Sequence, residues 1–126
     1  MAKLFLTVGA ILGGLSVAAG AFGAHALKEK LTERALEIFD TGVRYQMYHA
    51  LALILVALLL SRLESPSTAL LASGWFFIAG VVIFSGSLYA LSLSGVKVLG
   101  AITPLGGVSL MLGWAALAIA AINIKF

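Results

Sequence analysis

The chain has 126 residues, of which 62% are hydrophobic and 10% charged, with a mean hydropathy of +1.13. Soluble domains carry about 45–50% apolar and about 25% charged residues, and a particle this small cannot hide the surplus inside. A soluble globule is excluded, and the composition describes a small polytopic membrane protein. At about 20 residues per span, four spans with short connections nearly exhaust the length. The chain has no cysteine, which excludes disulfides, thiolate metal sites and thiol catalysis. The net charge of +3 is dispersed through the predicted loops and points to no nucleic-acid partner.

Residues 4–24 form an uncharged run long enough to cross the hydrocarbon as a helix. Gly9 and Gly13 make a GxxxG pair, and Ala10, Gly14 and Ala18 line an adjacent row, the small-residue pattern by which helices approach closely in lipid. Lys3, the apolar run and Ala24-His25-Ala26 also fit a secretory signal. The run is longer than the usual signal core, which favours an uncleaved first span. Residues 25–44 hold most of the charge. Leu31, Ala35, Ile38, Phe39 and Gly42 recur there at helical spacing, with Glu33, Arg34, Glu37, Asp40 and Thr41 on other faces. That pattern predicts an amphipathic helix over about 32–42, capped by Thr32, lying at the membrane surface and bending near Thr41-Gly42 into a second span over about 44–60.

Ser65-Pro66 predicts a helix start, with a third span over about 70–93. Gly86, Ala90 and Ser94 form a small-residue row on it. Thr103-Pro104 repeats the signature and opens a fourth span over about 103–124, on which Ser109 and Gly113 give a small contact face. The predicted fold is therefore all-α: one domain over 1–126, an integral membrane four-helix bundle with an interfacial helix between spans one and two. Gly9, Gly13, Gly14, Gly86, Ser109 and Gly113 are its predicted packing positions. Loops one and three carry five basic residues (Lys28, Lys30, Arg34, Arg44, Lys97) against three opposite (Lys3, Arg62, Lys125), which places loop 25–44 in the cytoplasm.

The densest polar patch is Asp40 to His49. On a helix Asp40 and Arg44 are i,i+4 partners, which lowers the cost of holding Arg44 near lipid. Arg44, Tyr45 and Tyr48 also fit an interfacial anchoring belt. His25 closes the first span and His49 opens the second, so both are expected near one membrane face, where paired imidazoles could ligate a metal or haem. A metal site normally needs three or four ligands and none of the usual motifs supplies them, so the expectation is no metal and no cofactor. In the simpler reading His25 caps the first helix and His49 hydrogen-bonds to Ser, Tyr or backbone. The midplane offers Ser16, Ser85, Ser87 and Ser109 but no acid, which argues against transport by a single chain. No nucleophile–base constellation, phosphate loop or HExxH motif supports an enzyme.

The segments Ala21-Phe-Gly-Ala-His25-Ala-Leu27 and Thr41-Gly-Val-Arg-Tyr-Gln-Met-Tyr-His49-Ala-Leu51 resemble the YgdD-like family, and the likeness continues through Phe84 to Tyr89 and Ile102 to Gly107. The resemblance covers essentially the whole chain. It implies a four-helix bacterial inner-membrane protein, with small eukaryotic transmembrane relatives, and brings no established activity or catalytic residue. It selects the two signature segments as the site: His25, Asp40, Arg44, Tyr45, Gln46, Tyr48 and His49 are expected to form one polar cluster that fixes the loop or presents Arg44 to a lipid headgroup or partner. The expected role is a non-enzymatic accessory or scaffold component of a membrane assembly or homo-oligomer, in contact with membrane lipids. The alternative is a binder or conduit for protons, metal or haem built on His25 and His49.

Overall fold

The computed structural model describes residues 1–125, and every regular element among them is an α-helix: α1 (Ala2–His25), α2 (Glu33–Ser61), α3 (Thr68–Ser94) and α4 (Leu99–Asn123). All four are long and apolar enough to cross a membrane. Each packs mainly on its sequence neighbour, α1 on α2, α2 on α3 and α3 on α4. Gly23 of α1 faces Phe39 while Gly9 faces Ile54, so α1 and α2 run antiparallel. Gly80 faces Leu110 and Gly106 faces Phe84, so α3 and α4 do the same. The chain goes up, down, up and down.

The distribution of side chains is that of a protein dissolved in lipid. Ser16, Gln46, His49, Ser73, Ser85, Ser87 and Ser92 are buried, while Ile11, Val17, Leu55, Val82, Met111 and Ile119 are exposed. A helix surrounded by hydrocarbon needs no apolar stripe, because its outer face meets a solvent as apolar as its core. The apolar core of Phe5, Leu53, Val56, Leu60, Leu70, Phe77 and Leu110 fills the half of the bundle nearer the termini.

The surface helix expected over 32–42 is the first part of α2. Thr32 caps it as predicted, its hydroxyl accepting from Ala35 N at 3.1 Å, but the helix runs through Thr41-Gly42 without a break. Thr41 donates its hydroxyl to Glu37 O, and Gly42 is packed beneath Tyr89, so neither residue loosens the backbone. A 29-residue helix is about 43 Å long and the hydrocarbon about 30 Å thick, so roughly nine residues project beyond it. The charged first turns of α2 are chemically suited to be that projection.

Two other starts are corrected. α3 begins at Thr68 under a Ser67 cap, whose hydroxyl accepts from Leu70 N at 3.3 Å; Ser65 and Pro66 belong to the preceding loop. α4 begins at Leu99, one turn ahead of Thr103-Pro104. Tight bonds from Leu99 N to Val96 O and from Gly100 N to Lys97 O wind the chain into helix before the proline arrives. Gly95, with φ of +72°, ends α3 in the left-handed conformation that glycine adopts without penalty, and this allows the short turn between α3 and α4.

Glycine packing is only partly where the sequence put it. A methyl at Gly9 would lie 2.8 Å from Ile54, and one at Gly113 would lie 2.5 Å from Phe77. At Gly13 it would make ordinary contact with Ala50. Gly14 and Gly86 are exposed, and a methyl on either would meet nothing within 4 Å, so these two pack against no other part of the chain. The tight positions missed from sequence are Gly42 against Tyr89, Gly74 against Phe5, Gly80 against Leu110 and Gly106 against the Phe84 backbone. Gly106→Ala is expected to destabilise the bundle by about 1–3 kcal/mol, since backbone cannot rotate away. Gly14→Ala should be neutral or stabilising by up to ~1 kcal/mol through helix propensity. Thermal unfolding of both variants in detergent checks the pair.

Candidate functional site

Gln46 is buried two turns above the apolar core and joins three helices. Its Nε2 donates to Leu12 O of α1 at 2.8 Å, and its Oε1 accepts from the Tyr89 hydroxyl of α3 at 2.6 Å. Leu12 O also accepts from the Ser16 hydroxyl at 2.8 Å, which holds that carbonyl in a polar environment inside the span. In hydrocarbon, where no water competes, such bonds fix which helix faces which.

His49, one turn deeper than Tyr45, is also buried. Its Nδ1 lies 2.7 Å from Tyr45 O and its Nε2 lies 3.0 Å from Trp114 Nε1. A carbonyl can only accept and an indole N–H can only donate, so the partners select the neutral Nδ1–H tautomer. Both ring nitrogens are then in use, and no lone pair is left for a metal or haem. Tyr45 stacks on the imidazole with centroids 6.1 Å apart, and Phe77 and Trp114 enclose it at 5.6 and 5.8 Å. The expected bond from His49 to Tyr or backbone is present; its link to α4 was not anticipated.

The predicted polar cluster divides. Gly20 faces Val43, so His25 is level with about Ile38, roughly 16 Å along the bundle from His49. The error arose from starting span two at Arg44: α2 begins eleven residues earlier, which sinks His49 well inside the bundle. His25 is exposed in the last turn of α1, and the chain leaves the helix through Ala26, whose N–H reaches Phe22 O. Asp40 and Arg44 form the expected pair at 3.0 Å, both more than half exposed. Tyr48 is exposed, and Tyr45 lies partly against Phe84 at 4.8 Å. Gln46 and His49 thus face inward, whereas Asp40, Arg44 and Tyr48 face outward. Among the described residues, no three His, Asp or Glu side chains gather as a metal site would require.

The serines complete the interior. Ser73 donates to Gly113 O at 2.8 Å, Ser109 to Phe76 O at 2.8 Å and Ser85 to Gly42 O at 2.7 Å, each across a helix pair. Ser87 and Thr103 share a 2.6 Å bond between α3 and α4. Among the described residues no buried side-chain N or O atom is without a partner. Trp114, Tyr89 and Ser73 were missed as site residues. The usable signal was chemical: an indole N–H or phenol inside an apolar span must find an acceptor, and Gln46 and His49 were the acceptors available.

A family model described as "Protein of unknown function (DUF423)" matches residues 19–107, which include both signature segments with Gln46, His49 and Tyr89, while their partners Leu12 and Trp114 lie outside the matched range. The chain belongs to the DUF423 family. It is 48% identical over 121 residues to the UPF0382 membrane protein YwdK of Bacillus subtilis, covering 96% of this chain and 98% of that one. It is 42% identical to a UPF0382 membrane protein of Staphylococcus epidermidis, covering 96% and 97% of the two chains. It is 43% identical to the UPF0382 membrane protein SAB0533 of Staphylococcus aureus, covering 94% of each. No solved structure matches the chain. With four apolar helices and these relatives, this DUF423 chain is a membrane protein of an uncharacterised family. A double-mutant cycle of Gln46→Leu and Tyr89→Phe, read by unfolding in detergent, should give a coupling of about 0.5–1.5 kcal/mol. Additive effects would remove the α2–α3 bond from the account.

Proposed function

We propose that the protein is a non-enzymatic accessory or scaffold component of a membrane assembly, docking a partner helix on the outer face of α1. The observation that supports this is what the interior uses and what it leaves. The buried polar side chains are engaged in hydrogen bonds within the chain, so little inside is free for chemistry. On α1, Ala10, Gly14 and Ala18 are all exposed at four-residue spacing, the surface on which helices associate closely in lipid.

The finer kinship carried by the two signature segments, with YgdD-like proteins of the bacterial inner membrane, belongs to this reading. So does the orientation: the plasma membrane, crossed four times, with the charged start of α2 in the cytoplasm. The excess of basic residues in loops one and three supports that side. The histidine-based alternative has less support, because His25 and His49 lie apart and His49 uses both nitrogens within the fold.

Purification from native membranes in mild detergent tests the role. A stoichiometric membrane-protein partner is expected with the wild type and is expected to be lost from Gly14→Leu, with helix content and melting unchanged. Recovery of the wild type alone as a monomer would overturn the proposal. For orientation, the cysteine-free chain permits Glu29→Cys as a single label site. A membrane-impermeant maleimide should reach it in inverted vesicles and not in intact cells, and the opposite pattern would reverse the orientation.

A further inference from the structure

A groove of about 560 Å³ runs between α1 and α3, walled by Leu12, Leu15, Ala19 and Gly86 and floored by Gln46 and Tyr89. Its walls are apolar, and Gly86 leaves it open: a methyl there would meet nothing within 4 Å. The floor is the exception. Gln46 is 5% exposed and lies at the groove, yet its amide is only half used. Nε2 carries two hydrogens and gives one to Leu12 O; Oε1 has two lone pairs and gives one to Tyr89. The Tyr89 oxygen, having donated its hydrogen to Gln46, still has its own lone pairs. Among the described residues no protein acceptor takes the second Gln46 hydrogen.

Depth decides what could meet that hydrogen. Leu12 lies near the middle of the 24-residue α1, so the amide bonded to its carbonyl sits within the hydrocarbon, where an unmet N–H costs several kcal/mol. Phosphate and ester groups of the bilayer lie outside that layer, at its boundary with water. An occupant must therefore be uncharged, carry a polar acceptor on an apolar body and dissolve in the bilayer core. We infer that the α1–α3 groove binds a neutral carbonyl-bearing lipid of the membrane-quinone type, its carbonyl accepting from Gln46 Nε2 and its tail lying along Leu12, Leu15 and Ala19. A quinone also has a flat head that fits a shallow cleft between two helices. The inference does not rest on the accessory role, since it concerns the side of α1 turned toward α3; of the Ala10–Gly14–Ala18 row only Ala18 borders the groove, and Gly14 does not.

The test is saturation binding of decyl-ubiquinone to the full chain in phospholipid nanodiscs, with empty nanodiscs as the partition control and native mass spectrometry as a second readout. One molecule per chain is expected, and n-decylbenzene, which lacks the carbonyls, should not displace it. Gly86→Leu fills the groove without disturbing a packed contact and should weaken binding tenfold or more. Gln46→Met should weaken it about fivefold, the effect of one ordinary hydrogen bond. Gly14→Leu, which addresses the docking face, should bind like the wild type. Uptake no greater than that of empty nanodiscs, equal binding by Gly86→Leu, or equal competition by n-decylbenzene would each overturn the inference. A bound phospholipid that decyl-ubiquinone cannot displace would do so as well. Gly86→Leu keeps the test decisive even where Gln46→Met fails to fold.

Discussion

Lipid offers the backbone and the polar side chains no hydrogen bonds, and the interior of this protein is organised around that fact. Burying leucine against leucine gains little in a solvent that is itself hydrocarbon, so the apolar core alone does not determine which faces of the four helices meet. Directional bonds do. Gln46 reaches α1 and α3 from α2, and His49 receives Trp114 from α4. Through these two side chains α2 is tied by hydrogen bonds to every other helix.

Glycines and serines act together in the same scheme. A serine can reach a carbonyl on a neighbouring helix only where the two backbones come close, and a glycine provides that proximity. Gly42 shows both halves: Tyr89 occupies the space a side chain would take, and the buried carbonyl accepts from Ser85. Gly113 repeats it with Phe77 over the missing side chain and Ser73 on the carbonyl. Steric fit and hydrogen bonding are thus one feature, and a substitution at either glycine is expected to damage both. Close packing also brings van der Waals contact, the other attraction available between helices in hydrocarbon.

Hydropathy made the four spans legible, because nothing but membrane-crossing helices explains four long uncharged runs in so short a chain. Element ends were harder to read. The charged stretch before Arg44 had the pattern of a surface helix, yet the same pattern describes a transmembrane helix that projects into water. Only the continuity of hydrogen bonds through Thr41 and Gly42 separates the two. Misplacing that start by eleven residues misplaced His49, and with it the pairing of the two histidines. Local chemistry survived the error: Asp40 with Arg44 and Thr32 with Ala35 depend on spacing within one helix. What did not survive was grouping by proximity in sequence. Residues 44, 45, 46, 48 and 49 point in different directions around a helix, so a compact motif becomes an inward pair and an outward fringe.

The outer surfaces of the first and last helices differ in a way that bears on what each meets. On α4 each of several exposed alanines is followed a turn later by a bulky side chain, Ala101 by Leu105, Ala115 by Ile119 and Ala118 by Ile122, all exposed. A surface so uneven suits fluid acyl chains, which fill gaps at little cost, and resists a rigid neighbour. On α1 the row Ala10, Gly14 and Ala18 is flanked by the larger Ile11, Leu15 and Val17, giving a shallow channel along the helix. A second helix can seat its own ridge there and bring backbones into contact, as α3 and α4 do at Gly106. Disordered lipid cannot reproduce that contact over about two turns. That difference between the two outer helices is the packing argument behind the docking proposed on α1.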